Sequence, residues 1–207
     1  MTMLRKLRAL ASEESWDEII SLVEENSEII ESDSEYVHII IWKAHAKLGN
    51  PNLSEESLDR AMSLSPHNAM LFRAKGDFHK DRMEWKKSLE CYRQAVRLRD
   101  DVAPYWFSLA FAQENNNDII SAITSLESAV TLDTSRKNWW LKLASLYRKK
   151  SNLEQSLRAY RKILEIEEDW NVRLMMDETS RQKKSGIMEA SANYYDVVYS
   201  ESEKYLS

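Results

Sequence analysis

With three glycines and three prolines in 207 residues, the chain lacks the turn residues that a sheet needs and the clustered glycines of a phosphate loop or dinucleotide fingerprint. Its net charge of −5 offers no general attraction to nucleic acid, and no run of eighteen apolar residues marks a membrane span. One cysteine, Cys91, excludes an intrachain disulfide and suits a reducing, cytoplasmic setting, and Met1 to Ala11 holds too few apolar residues for a signal peptide.

Helices are therefore expected from the start of the chain. Leu4, Leu7 and Leu10 with Ala11 mark one, and Trp16 to Val23 mark a second. Residues 1–33 read as a degenerate N-terminal capping repeat, offset by one residue from the later units. From Glu35 to Trp170 a 34-residue period runs without insertion, giving units 35–68, 69–102, 103–136 and 137–170. Ala61, Ala95, Ala129 and Ile163 form one column, and Leu58, Tyr92, Leu126 and Tyr160 a second. Ser54, Ser88, Ala122 and Ser156 make a third, and Leu64, Leu98, Leu132 and Ile166 a fourth. Earlier in each unit His38, Phe72, Trp106 and Trp140 align, followed by Trp42, Gly76, Ala110 and Ala144.

Spacings of about three, four and seven place each set on one helix face. Every unit thus predicts two helices, with small residues where they cross and larger ones between successive pairs. One pair cannot bury its apolar face alone, so the pairs must stack. After Trp170, the residues Val172, Leu174, Met175 and Met176 predict a capping helix over 171–184 that Gly186 ends. That leaves 185–207 as a tail rich in tyrosine and serine.

These columns resemble the tetratricopeptide-repeat (TPR) family over roughly two thirds of the chain, which shares the 34-residue period and the small residues at helix crossings. The resemblance implies an all-α, right-handed superhelix, an α-solenoid of antiparallel helix pairs closed by a C-terminal capping helix. Of the family's terminal prolines only Pro66 is kept; Asp100, Thr134 and Glu168 stand in the equivalent places. Trp42 replaces a small residue and predicts loosened packing or an exposed indole.

The resemblance also implies a concave surface, formed by the first helix of each pair, that binds extended peptides. Projection places Arg73, Asp77, Phe107, Phe111, Glu114, Lys142, Ser145 and Lys149 on it. Phe107 and Phe111, four apart, either anchor a partner's apolar side chain, flanked by Arg73 and Lys142, or pack against neighbouring helices. A chaperone-type carboxylate clamp is not expected. Its places hold Arg73, Asp77, Ser108, Asn138 and Lys142, without the required asparagines, and Asp77 would repel a carboxylate.

Charge is uneven along the chain. No Lys or Arg falls between Ala9 and Trp42, where ten acids gather, and no acid falls between Ser135 and Leu153, where Arg136, Lys137, Lys142, Arg148, Lys149 and Lys150 cluster. Such ends either steer a partner, join two copies head to tail, or simply keep the surface solvated. His38, His45, His67 and His79 do not converge at metal-ligand spacing, and Cys91 reads as a packed small residue beside Tyr92, so neither a metal nor a catalytic site is expected. Trp140 and Tyr147 fall in packing columns, which argues against base stacking by RNA.

The tail residues Ser191-Ala-Asn-Tyr-Tyr-Asp-Val-Val-Tyr-Ser-Glu-Ser-Glu-Lys-Tyr are similar to the lead-in to methyltransferase-like domains of bacterial surface-polysaccharide enzymes, with no cofactor motif among them. The expected function is a non-catalytic scaffold or adaptor that binds a protein partner or another domain of its own polypeptide. The alternative is a docking or oligomerisation module of a larger polysaccharide-assembly enzyme, of glycosyltransferase or methyltransferase type. Neither reading calls for a cofactor.

Overall fold

A computed structural model describes residues 3–26, 29 and 34–204, with side chains to residue 187. Among these residues the chain forms eleven α-helices and no strand. The N-terminal pair is α1 (Met3–Ser12) and α2 (Trp16–Glu25). The first helices of the four full repeats are α3 (Glu35–Lys47), α5 (Ala69–Asp81), α7 (Ala103–Asn115) and α9 (Lys137–Lys149), each of 13 residues. The second helices are α4 (Pro51–Leu64), α6 (Trp85–Leu98), α8 (Ile119–Leu132) and α10 (Leu153–Ile166), each of 14. The last is α11 (Trp170–Lys204).

The chain divides into two compact units, Met1–Asn116 and Asn117–Ser207. In the first, α3 packs on α4, α5 on α6 and α6 on α7, with α5 and α7 also touching. In the second, α8 packs on α9, α9 on α10, and α10 on α11. Three of the columns do the packing. Ala61, Ala95, Ala129 and Ile163 are fully buried, as are Ser54, Ser88, Ala122 and Ser156, while Leu58, Tyr92, Leu126 and Tyr160 are at most 2% exposed. Burying each of the larger side chains contributes roughly 1.5–3 kcal/mol. The serine column has a second use, because Ser88 Oγ donates to the Gly76 carbonyl at 2.9 Å where the two helices of that repeat cross.

The fourth column is a correction. Leu132 is 47% exposed and Ile166 42%, and Leu64 and Leu98 are only half-buried, because all four sit in the last turn of their helices. Of the two outcomes expected at Trp42, the exposed indole is set aside, because the side chain is half-buried against the cluster that holds Ile39, Leu58 and Leu71.

Two features recur that the columns did not announce. The first helix of each repeat ends by a left-handed residue, at Gly49 (φ 76°), Met83 (59°), Asn117 (67°) and Ser151 (58°), and the capping pair repeats it at Glu14 (56°), shifted by one residue. Second, two indoles replace missing prolines. Trp106 Nε1 donates to the Asp100 carbonyl at 2.7 Å and Trp140 Nε1 to the Thr134 carbonyl at 2.9 Å. In the repeat after Pro66 the aligned residue is Phe72, which has no N–H to offer.

The C-terminus departs most from expectation. Instead of ending at Gly186, α11 runs through it to Lys204. A glycine stops a helix by turning to positive φ, and Gly186 does not, so it costs only about 1 kcal/mol relative to alanine. The tail reading therefore gives way to a continuous helix, and residues 205–207 lie outside the described residues.

Candidate functional site

Unit 1 presents the expected residues on α5 and α7. Asp77 is the hub on α5. It accepts the Tyr92 phenol at 2.7 Å and faces the Arg73 guanidinium and the Lys80 ammonium, each at 3.3 Å. Burial, reinforced by the Asp77 carboxylate, pushes the Tyr92 hydroxyl above its ordinary pKa, so it remains a neutral donor. Arg73, expected as a cation that orients a partner, is thus already paired by a carboxylate four residues on.

On α7, Phe107, Phe111 and Glu114 are half-buried. The Phe111 ring meets Trp85 at the start of α6 edge-on, with centroids 6.0 Å apart. The aromatic face is therefore partly packing and partly accessible, and Trp85 belongs to it. Sequence reasoning missed Trp85 because it opens a second helix, where no concave position was projected.

Unit 2 holds the remaining candidates on α9. Ser145 and Lys149 are exposed and line a groove of about 610 Å³, with Leu141, Arg148, Tyr160, Met175 and Gln182 completing it. Lys142 is half-buried and does not line this groove. The projection was one residue off there, since Leu141, not Lys142, stands one 34-residue period after Phe107. The groove has an apolar floor of Leu141 and Met175, two cations, and no carboxylate among its lining residues. The other large grooves contrast with it. One within α2–α4 carries Glu56 and Asp59, and one within α8–α10 carries Glu127 and Glu165.

Not all of the basic cluster is available to a partner. Arg136 pairs with Asp133 at 2.9 Å and lies over the Trp139 ring, and Lys137 pairs with Glu167 at 3.1 Å and Asp169 at 2.6 Å. Among the histidines, His79 Nδ1 lies 3.0 Å from Glu84 Oε2, and His38 and His45 are buried in the packing of α3. Cys91 is half-buried, and burial pushes its thiol pKa up, away from the thiolate that nucleophilic chemistry requires.

The signature of the tetratricopeptide repeat matches residues 140–169, most of α9 and all of α10. No curated protein matches the chain in sequence. Solved structures share its fold at low identity. MamA superposes with a TM-score of 0.69 at 16% identity, over 81% of this chain and 96% of MamA. PilF of Pseudomonas aeruginosa gives 0.66 at 12%, over 87% and 88%. YrrB, described as a TPR protein with an unusual peptide-binding site, gives 0.66 at 15%, over 83% and 88%.

Proposed function

We propose that this chain, a solenoid of tetratricopeptide repeats, is a non-catalytic interaction scaffold that holds an extended acidic segment of a protein partner in the groove of α9, α10 and α11. One observation carries the reading: two cations, Arg148 and Lys149, border an apolar floor with no carboxylate in the lining. An apolar side chain of the partner seats on Leu141 and Met175, and neighbouring acids pair with the cations. Ser145 and Gln182 supply hydrogen bonds for the partner's backbone. The description of YrrB as having a peptide-binding site agrees with this kind of use for the fold. The α7 face, with Phe107 and Phe111 beside Arg73 and Asp77, offers a second apolar contact in unit 1.

The test uses the whole chain and dye-labelled peptides of about ten residues, acidic, basic or neutral, each with one leucine. Fluorescence anisotropy is expected to rank the acidic peptide tightest. The double change Arg148→Glu and Lys149→Glu is expected to weaken it by about tenfold or more, with unchanged circular dichroism. Lys162→Glu, on the outer face of α10, is expected to leave it unaltered. Preference for another peptide class, or undiminished binding by the double variant, overturns the proposal.

A further inference from the structure

The first helix of every full repeat buries one polar side chain at the same place, near its C-terminal end. These are His45, His79, Gln113 and Tyr147, between 4% and 9% exposed. Two of them are satisfied inside the protein: His79 Nδ1 lies 3.0 Å from Glu84 Oε2, and the Tyr147 phenol donates to Glu127 of α8. His45 Nδ1 is buried with no hydrogen-bond partner among the described residues, and so is Gln113 Oε1. A buried acceptor without a donor costs free energy that an incoming N–H recovers. His45 also lines a groove of about 620 Å³ formed by α2, α3 and α4.

The floor of this groove is apolar, with Val23 and Ile41 buried and Leu53 exposed at the rim. Its lining charges are on α4. Asp59, which also meets Lys75 of α5, stands next to Arg60. Glu56, one turn earlier, is exposed and pairs with no cation among the described residues. From the other side α2 carries Asp17, Glu18, Glu24 and Glu25 and no cation. Burial lowers the His45 pKa against an opposing pull from Glu24, so the ring is neutral near pH 7 and keeps an acceptor nitrogen. Packing does not require this lining. Three periods on, Arg158, Arg161 and Lys162 hold the places of Glu56, Asp59 and Arg60 in the groove of α8, α9 and α10.

We infer that the groove of α2, α3 and α4 binds an arginine side chain from a basic segment of a protein partner, with one guanidinium N–H donated to His45 Nδ1 and the charge set against Glu56. A guanidinium suits the site because its planar fork serves two acceptors at once, whereas a lysine ammonium is a compact, strongly hydrated point charge. An apolar neighbour of that arginine rests on Val23, Ile41 and Leu53. The site belongs to unit 1 and selects the charge opposite to that selected by the groove of α9, α10 and α11.

The test uses the whole chain and a dye-labelled peptide with one arginine beside one leucine, read by fluorescence anisotropy. Saturable binding is expected, weaker than that of the acidic peptide, because Glu56 is the lining carboxylate left without an ion pair. Glu56→Lys is expected to weaken it by about fivefold or more with unchanged melting temperature, since Glu56 is exposed. Glu90→Lys, the same change one period later and outside this lining, is expected not to. His45→Leu is expected to weaken binding severalfold, whereas His45→Gln, which keeps an acceptor, retains it. Lysine in place of the arginine is expected to bind about threefold less tightly. The double change Arg148→Glu and Lys149→Glu is expected not to weaken this peptide, which separates failure here from failure of the acidic-peptide groove. Absence of saturable binding overturns the inference, as does equal binding by Glu56→Lys and Glu90→Lys, or by His45→Leu and His45→Gln. Equal affinity for the lysine peptide overturns the assignment to a guanidinium.

Discussion

Gly76 and Tyr92 meet closely where α5 crosses α6. A methyl on Gly76 would stand 2.5 Å from the Tyr92 ring, closer than carbon atoms approach one another. The ring cannot retreat cheaply, because it is fully buried and its hydroxyl is held by Asp77. Gly76→Ala is therefore expected to destabilise the chain by about 1–3 kcal/mol in urea unfolding, despite the better helix propensity of alanine. A gain in stability would mean that the crossing is looser than this packing requires. The sequence announced Gly76 as a member of a small-residue column, and Ala110 and Ala144 tolerate the methyl in the same place. What it hid was how closely the Tyr92 ring lies against this one position, anchored there by Asp77. Arg73 shows the same limit, since a projection onto a surface does not show that Asp77 pairs with the guanidinium.

The helices themselves were legible because burial recurs with the chain's own period, and the 13- and 14-residue helices begin at positions fixed by it. The turns between them were not, because left-handed backbone at Gly49, Met83, Asn117 and Ser151 is written with four different residues. Side chains on the non-glycine members meet the cost of positive φ, roughly 1–2 kcal/mol each, less for asparagine. Opposite substitutions test this column. Gly49→Ala is expected to lose about 1 kcal/mol, purely through φ, since nothing lies within 4 Å of the added methyl. Met83→Gly is expected to gain about 0.5–1 kcal/mol, because Met83 is 74% exposed and gives up little packing. Equal signs in urea unfolding would show that the left-handed turn does not limit the stability of these repeats. The reading of Gly186 as a helix stop fails on the same physics, because composition marks a glycine but not its φ. The groove of α9, α10 and α11 was half legible: Leu141, Ser145 and Arg148 stand one period after Phe107, Phe111 and Glu114, whereas Tyr160, Met175 and Gln182 come from two further helices that only packing brings against α9.

At the scale of the molecule, salt shows what holds a partner in the proposed groove. The groove relies on Arg148 and Lys149 meeting carboxylates at an exposed rim, where the Debye length of about 10 Å at 0.1 M falls to about 3 Å at 1 M. Acidic-peptide binding is therefore expected to weaken on the order of tenfold between those salt concentrations, mainly through slower association. Anisotropy with the labelled acidic peptide, run in matched buffers, reads the response. If salt left peptide binding untouched, the floor of Leu141 and Met175 would be carrying recognition, and the cations would be incidental to it.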